Sequence, residues 1–232
     1  MNEQKKPKAL IVVTSHDRLG ETGKQTGWYL SEVTHVYYPL VEAGFRVDFA
    51  SPLGGAAPMD AGSRKPEDPD NARFLADAEL MATMARTQPL AQVDASAYEV
   101  VHFAGGHGVM WDFPENPEIE RVARGVYERG GVVAAVCHGP AALVGVKLSN
   151  GSYLVTGKQV APFTNSEERA VGLAEVVPFL LQSKLEQQGA LISSAANWQS
   201  HAVTSERLVT GQNPQSARAV ATGIVELTRA RR

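Results

Sequence analysis

The sequence predicts one doubly wound α/β domain over residues 1–232, a mostly parallel sheet with helices on both faces. Three observations carry that expectation. Short β-branched runs alternate with stretches of helical apolar period. No linker divides the 232 residues, and no internal repeat stands out. Apolar residues make up 44% of the chain against 20% charged, enough for a sizeable core and too apolar for wholesale disorder.

The elements follow in order. Lys8 to Ser15 (KALIVVTS) suits a buried first strand. Residues Gly27 to Ala43 read as a helix whose apolar face carries Tyr29, Val33, Val36, Tyr37 and Leu40. Pro39 should kink it or tighten its last turns, and Gly44 should cap it. Phe45 to Ser51 is a second strand, ending in the turn Pro52 to Gly55. Ala56 to Asp70 has no apolar period and reads as a surface loop, long enough for an active-site or dimer-contact role. A helix is expected over Asn71–Thr87, a strand over Tyr98–Ala104 and a helix over Asn116–Arg129. The strand Gly131–Val136 ends at Cys137, and a helix starts at Pro140. Beyond Asn150 the signals weaken: a strand-like Tyr153–Phe163, a helix over Pro178–Gln188, a short strand Ala190–Ala195, a hairpin over Ala202–Gln212 and a last helix from Pro214.

Composition excludes several classes of function. A net charge of -3 gives no general attraction to nucleic acid or anionic membrane. The one cysteine, Cys137, can form neither an intrachain disulfide nor a multi-thiolate zinc site. The polar opening MNEQKKPK and the short apolar run behind it suit neither a signal segment nor a membrane span. The expectation is a soluble, cytoplasmic protein.

The segment Val132 to Pro140 reads V-V-A-A-V-C-H-G-P. An apolar strand running into Cys, His, Gly and Pro and then into a helix has the layout of a nucleophile elbow. A helix N-terminus beside the thiol would favour thiolate, bringing its pKa from about 8.5 toward roughly 3.5–7.5. The backbone N–H of His138 becomes a natural oxyanion donor. The plainer alternative is a small apolar residue at the end of a core strand. A second turn, Phe103 to Gly108 (FAGGHG), follows its own strand, and parallel strands gather such turns at one edge. Its glycines, Gly105 and Gly106, let backbone N–H groups approach a ligand closely. Neither phosphate-loop nor dinucleotide-binding spacing of glycines occurs.

Together with the late L-V-T-G-Q-N-P-Q-S-A, these segments resemble the DJ-1/PfpI superfamily, and within it the Hsp31-like branch that includes glutathione-independent glyoxalases. The resemblance implies a flavodoxin-like three-layer sandwich related to class I glutamine amidotransferase domains, and a homodimer. It places a helix glutamate beside the cysteine, which the matching W-Y-L-S-E segment assigns to Glu32. Helical geometry agrees, since Glu32 lies on the flank of the apolar face with Trp28 and Pro39. A half-buried carboxylate beside a thiolate should have a raised pKa and move protons. The resemblance also implies that His138 is the base and that an acidic residue of F-T-N-S-E-E orients it, aligned with Glu168 or with its neighbour Glu167. One departure is the proline, which here comes four residues after His35 rather than soon after it. His16, His35 and His107 are candidates for the pocket entrance. His102 and His107 lack a third ligand at metal spacing, so no metal is expected, and no cofactor.

The expected activity is conversion of methylglyoxal, a small α-oxoaldehyde, to lactate through a hemithioacetal on Cys137. Gly105, Gly106 and His138 are expected to bind substrate and its oxyanion. Removal of glycation adducts from protein or nucleotide amines is an alternative that shares Cys137. A stress-response holdase chaperone is the alternative from another class, and oxidation sensing at Cys137 is a third.

Overall fold

The computed structural model describes residues 6–231, so most of the polar opening lies outside the described residues. Nine strands are described: β1 (Lys8–Val12), β2 (Arg46–Ser51), β3 (Gln88–Pro89), β4 (Val100–Phe103), β5 (Val132–Val136), β6 (Gln159–Val160), β7 (Leu191–Ile192), β8 (Ala202–Ser205) and β9 (Leu208–Gly211). Seven of them form one sheet in the order β3-β2-β1-β4-β5-β9-β8. Every pairing in that sheet is parallel except β8 with β9, the expected hairpin. Strands β6 and β7 pair separately.

The helices are α1 (Leu30–Glu42), α2 (Pro69–Ala76), α3 (Ala78–Met84), α4 (Val109–Asp112), α5 (Pro117–Glu128), α6 (Asn165–Ala170), α7 (Leu181–Gln187) and α8 (Ala217–Arg229). Side-chain alternation along each strand sends neighbours to opposite faces and builds two cores. Leu10, Val12, Val101, Phe103, Val133 and Ala135 pack with α5 and α7. Ala9, Ile11, Val13, Val100, Val132 and Ala134 pack with α1, α2 and α8. The fold is therefore the three-layer α/β sandwich the sequence predicts. On α1, Leu30, Val33, Val36 and Leu40 are all fully buried. At about 2 kcal/mol each, an upper figure, they seat the helix firmly on the sheet.

Several boundaries differ for identifiable reasons. The helix expected over Asn71–Thr87 breaks at Asp77, which ends α2 and caps α3 by accepting from the N–H groups of Glu79 and Leu80. The segment after Cys137 is a five-residue 3₁₀ turn, Gly139–Leu143, instead of an α-helix. Residues Tyr153–Phe163 and Ala190–Ala195 each supply only a two-residue strand. Helix α1 runs unbroken across Pro39. The Ala56–Asp70 loop is tied to the start of α1. Trp28 donates its N–H to Pro58 O, and the Ser63 hydroxyl accepts from the Leu30 N–H at 3.0 Å.

Strands β1 and β4 are neighbours, yet the helices that follow them cover opposite faces. The crevice at such a reversal, beyond the carboxyl ends of the strands, is where open α/β sheets bind ligands. The turns after β4 and β5 both open there.

Candidate active site

Cys137 follows directly on β5 with a φ of 61°, a left-handed conformation that few residues other than glycine adopt. Two backbone bonds hold it there: its N–H donates to Gly211 O at 2.8 Å, and its carbonyl accepts from Phe163 N–H at 2.8 Å. The turn lifts Sγ out of the sheet into a cavity of about 200 Å³.

His138 Nδ1 lies 3.4 Å from Cys137 Sγ, and its Nε2 lies 2.7 Å from Glu168 Oε2. His107 Nε2 lies 2.9 Å from the other oxygen, Glu168 Oε1. An ionised carboxylate only accepts, so both rings donate from Nε2 and Nδ1 of His138 is left as an acceptor toward the thiol. Glu168 supports this protonation. Burial opposes its charge, but the two histidines outweigh burial and hold its carboxyl down at about 2. Burial and neighbouring His107 push His138 below its ordinary value despite Glu168, so the ring is neutral at pH 7. The His138 ring sits between those of His107 and Phe163, with centroids 4.1 and 4.2 Å away.

Glu32 comes from the first turn of α1 and is fully buried. Its Oε2 accepts the Gly105 N–H at 2.7 Å, whereas Oε1 accepts no hydrogen bond from the protein. Burial raises its pKa to about 8, against the opposing effect of the Gly105 bond. Glu32 is therefore protonated at neutral pH. The Cys137 thiol is pushed well above its ordinary value, first by burial and then by the Glu32 charge; the N–H groups of His138 and Gly106 pull the other way.

The thiol thus departs from the expected low-pKa thiolate. The predicted α-helix is absent and only a short 3₁₀ turn follows, which supplies little dipole, while burial beside an acid favours the neutral form. Gly105 also departs from its expected place as a donor to substrate, because its N–H is committed to Glu32 and its carbonyl to Tyr29 N–H. The available N–H groups are those of Gly106 and His138. Gly106 has a φ of +95°, a conformation natural to glycine.

Of the two adjacent glutamates, Glu168 meets His138. Glu167 turns the other way and accepts from Thr164, Trp198 N–H, Gln212 and Asn213. The T-G-Q-N segment therefore braces the site from behind. Among the candidate entrance histidines only His107 lines the cavity. His16 stacks on Trp111, and His35 pairs with Asp68 at 2.9 Å in an adjoining groove. His102 is buried beneath α1, near Glu32 O at 3.2 Å.

His107, His138 and Glu168 do converge, a set that sequence spacing alone does not reveal. Direct hydrogen bonds already join their ligand atoms, and an ion would have to replace both. The sequence reading also missed the cavity walls formed by Tyr29, Phe163, Val171, Trp198, Pro214 and Gln215. They come from five separate segments, with no shared motif to mark them. The Tyr29 hydroxyl is held in its neutral form, its pKa pushed up to about 12 by burial and by Glu32 and Cys137.

A cysteine on a strained turn, backed by a histidine–carboxylate pair and a protonated buried acid, stands at the strand-end crevice of a doubly wound α/β scaffold. A model of the DJ-1/PfpI family matches residues 26–227, and the chain belongs to that family. It is 30% identical over 224 residues to the "Glutathione-independent glyoxalase HSP31" of Saccharomyces cerevisiae, covering 92% of this chain and 94% of that one. The crystal structure of glyoxalase III from Candida albicans superimposes with a TM-score of 0.88 at 27% identity, over 95% of this chain and 97% of that one. The Rapid Encystment Protein of 24 kDa from Francisella tularensis superimposes with a TM-score of 0.92 at 42% identity, over 95% and 98% of the two chains.

Proposed function

We propose that this protein is a glutathione-independent glyoxalase that converts methylglyoxal to lactate. The observation that carries the reading is the placement of two proton-handling groups around one thiol. His138 Nδ1 lies 3.4 Å from Sγ, and the fully buried Glu32, anchored through Oε2 to the Gly105 N–H at 2.7 Å, holds its proton at neutral pH. Similarity to curated glyoxalases over nine-tenths of the chain supports it.

In the first step Cys137 Sγ bonds to the aldehyde carbon C1, and His138 Nδ1 takes the thiol proton. The imidazolium is stabilised by Glu168, and the Gly106 and His138 N–H groups hold the developing oxyanion. Glu32 donates its proton to that oxygen, giving a neutral hemithioacetal and leaving Glu32 ionised.

The Glu32 carboxylate then removes the C1 hydrogen, and the electron pair moves toward C2 as an enediolate. The same carboxyl returns the proton to C2 while the hydroxyl proton passes between the two oxygens. C1 is oxidised and C2 reduced within one molecule, so the thioester forms without an outside electron acceptor. Water attacks the thioester carbonyl, Glu32 takes its proton, and the departing sulfur recovers a proton from His138. Lactic acid leaves, and Cys137, His138 and Glu32 regain their starting protonation.

Among the described residues the exposed large apolar side chains are Val41, Leu53, Val171, Leu191 and Trp198, drawn from separate elements. That distribution gives no broad apolar face for a holdase. On this reading the chain acts as one domain, in the cytoplasm and as a homodimer, which sedimentation velocity tests. The activity itself is tested by lactate formation from methylglyoxal with glutathione absent. Lactate without glutathione supports the reading, and no lactate at any enzyme concentration overturns it.

A further inference from the structure

The rim of the catalytic cavity differs in chemistry from its floor. The floor carries Cys137, His138 and His107, whereas one wall carries Phe163, Val171, Trp198 and Pro214. Phe163 is buried against His138, and the more exposed Trp198 lies against Phe163 with centroids 5.8 Å apart and ring planes tilted by 54°. That spacing lies within the range of favourable aromatic pairs. Val171 and Trp198 are each 40% exposed, so this rim presents apolar surface beside the cavity.

Trp198 is also held in an unusual way. Its φ is +65°, a conformation bulky residues rarely adopt. Its N–H donates at 3.0 Å to Glu167 Oε1, which also accepts from Gln212 and Asn213. A buried carboxylate with three donors on one oxygen fixes the loop that carries the indole. Strained backbone held by its surroundings concentrates at ligand contacts.

The cavity volume of about 200 Å³ equals roughly six or seven liquid waters at ~30 Å³ each, more than the few heavy atoms of methylglyoxal require. We propose that Trp198, seated on Phe163 and fixed by Glu167, is the outer wall of an aryl-accepting subsite. The preferred substrates are then α-oxoaldehydes with an aromatic or bulky apolar group on the ketone carbon. The proposal rests on the glyoxalase reading for its reaction and on the cavity wall for its selectivity.

Two assays on wild type, Trp198→Ala and Trp198→Phe test it. The first compares kcat/KM for phenylglyoxal with that for methylglyoxal. The ratio is expected to exceed one in wild type, to fall roughly ten-fold in Trp198→Ala and to recover in Trp198→Phe. The second, independent of turnover, measures alkylation of Cys137 by phenacyl chloride and by chloroacetone, read by intact mass. The same ratio is expected to fall in Trp198→Ala. If neither oxoaldehyde is turned over yet the alkylation ratio depends on Trp198, the glyoxalase reading fails and the subsite stands. If both are turned over and neither ratio moves in Trp198→Ala, the subsite is overturned and the glyoxalase reading stands.

Discussion

The backbone N–H of Gly105 donates to Glu32 Oε2 at 2.7 Å and leaves Oε1 of the same carboxyl buried without a protein partner. Half of the acid is thus fixed to the turn after β4, and the other half carries no hydrogen bond from the protein. A Cβ on Gly105 would stand 2.7 Å from both that Oε2 and Val136 O. Gly105→Ala is therefore expected to destabilise the fold by about 1–3 kcal/mol, as overpacking does. Its activity should fall further than its stability, because Glu32 is displaced. Denaturant midpoints measured beside kcat separate the two effects.

The Glu32 charge helps to raise the thiol pKa of Cys137. Glu32→Gln removes that charge, so the pH midpoint of Cys137 alkylation by iodoacetamide is expected to move down from its wild-type position. Mass spectrometry of the single cysteine gives the rate at each pH. A midpoint that stays put or rises contradicts the coupling.

The same shifts set opposite pH windows for stability. Glu32 binds its proton more tightly in the folded protein, at about 8 against an ordinary 4.5. Its contribution is complete below the ordinary value and is lost as pH rises through about 8. Glu168, held at about 2, contributes above the ordinary 4.5 and loses that contribution as pH falls toward 2. Relative to wild type, Glu32→Gln should gain urea stability between about pH 5 and about pH 9, and Glu168→Gln should gain it on acidification below about pH 4.

Glu168 accepts from both His107 and His138, and with it His138 presents Nδ1 to the thiol. Glu168→Gln replaces one accepting oxygen by an NH₂ group and weakens support for the imidazolium. Turnover should fall about 10²-fold or more, the size associated with removing a positioned base. Far-UV circular dichroism should be unchanged, and KM should change much less than kcat.

Much of this arrangement was legible in the sequence because strand-end turns are local. The residues V-V-A-A-V-C-H-G-P put a cysteine at the end of β5, and F-A-G-G-H-G put glycines at the end of β4. Parallel pairing of those strands does the rest. Glu32 was legible from its place on the flank of a helix face together with family resemblance. The partnership of His107 with Glu168 was not, because it joins residues 61 apart across two turns. The raised pKa of the thiol is not legible locally for a similar reason. Its pKa depends on burial and on Glu32 from another element, and neither is encoded next to Cys137. The cavity wall of Phe163, Val171 and Trp198 depends on how irregular segments pack after β5, where periodicity is weakest.

The proposed reaction requires Cys137 and Glu32 to act together on one small carbonyl. Its most direct test is lactate production from methylglyoxal, with glutathione absent, by wild type, Cys137→Ala and Glu32→Gln side by side. The expected result is turnover in wild type and loss of at least about 10²-fold in each variant. Lactate formed by Cys137→Ala at the wild-type rate would contradict it.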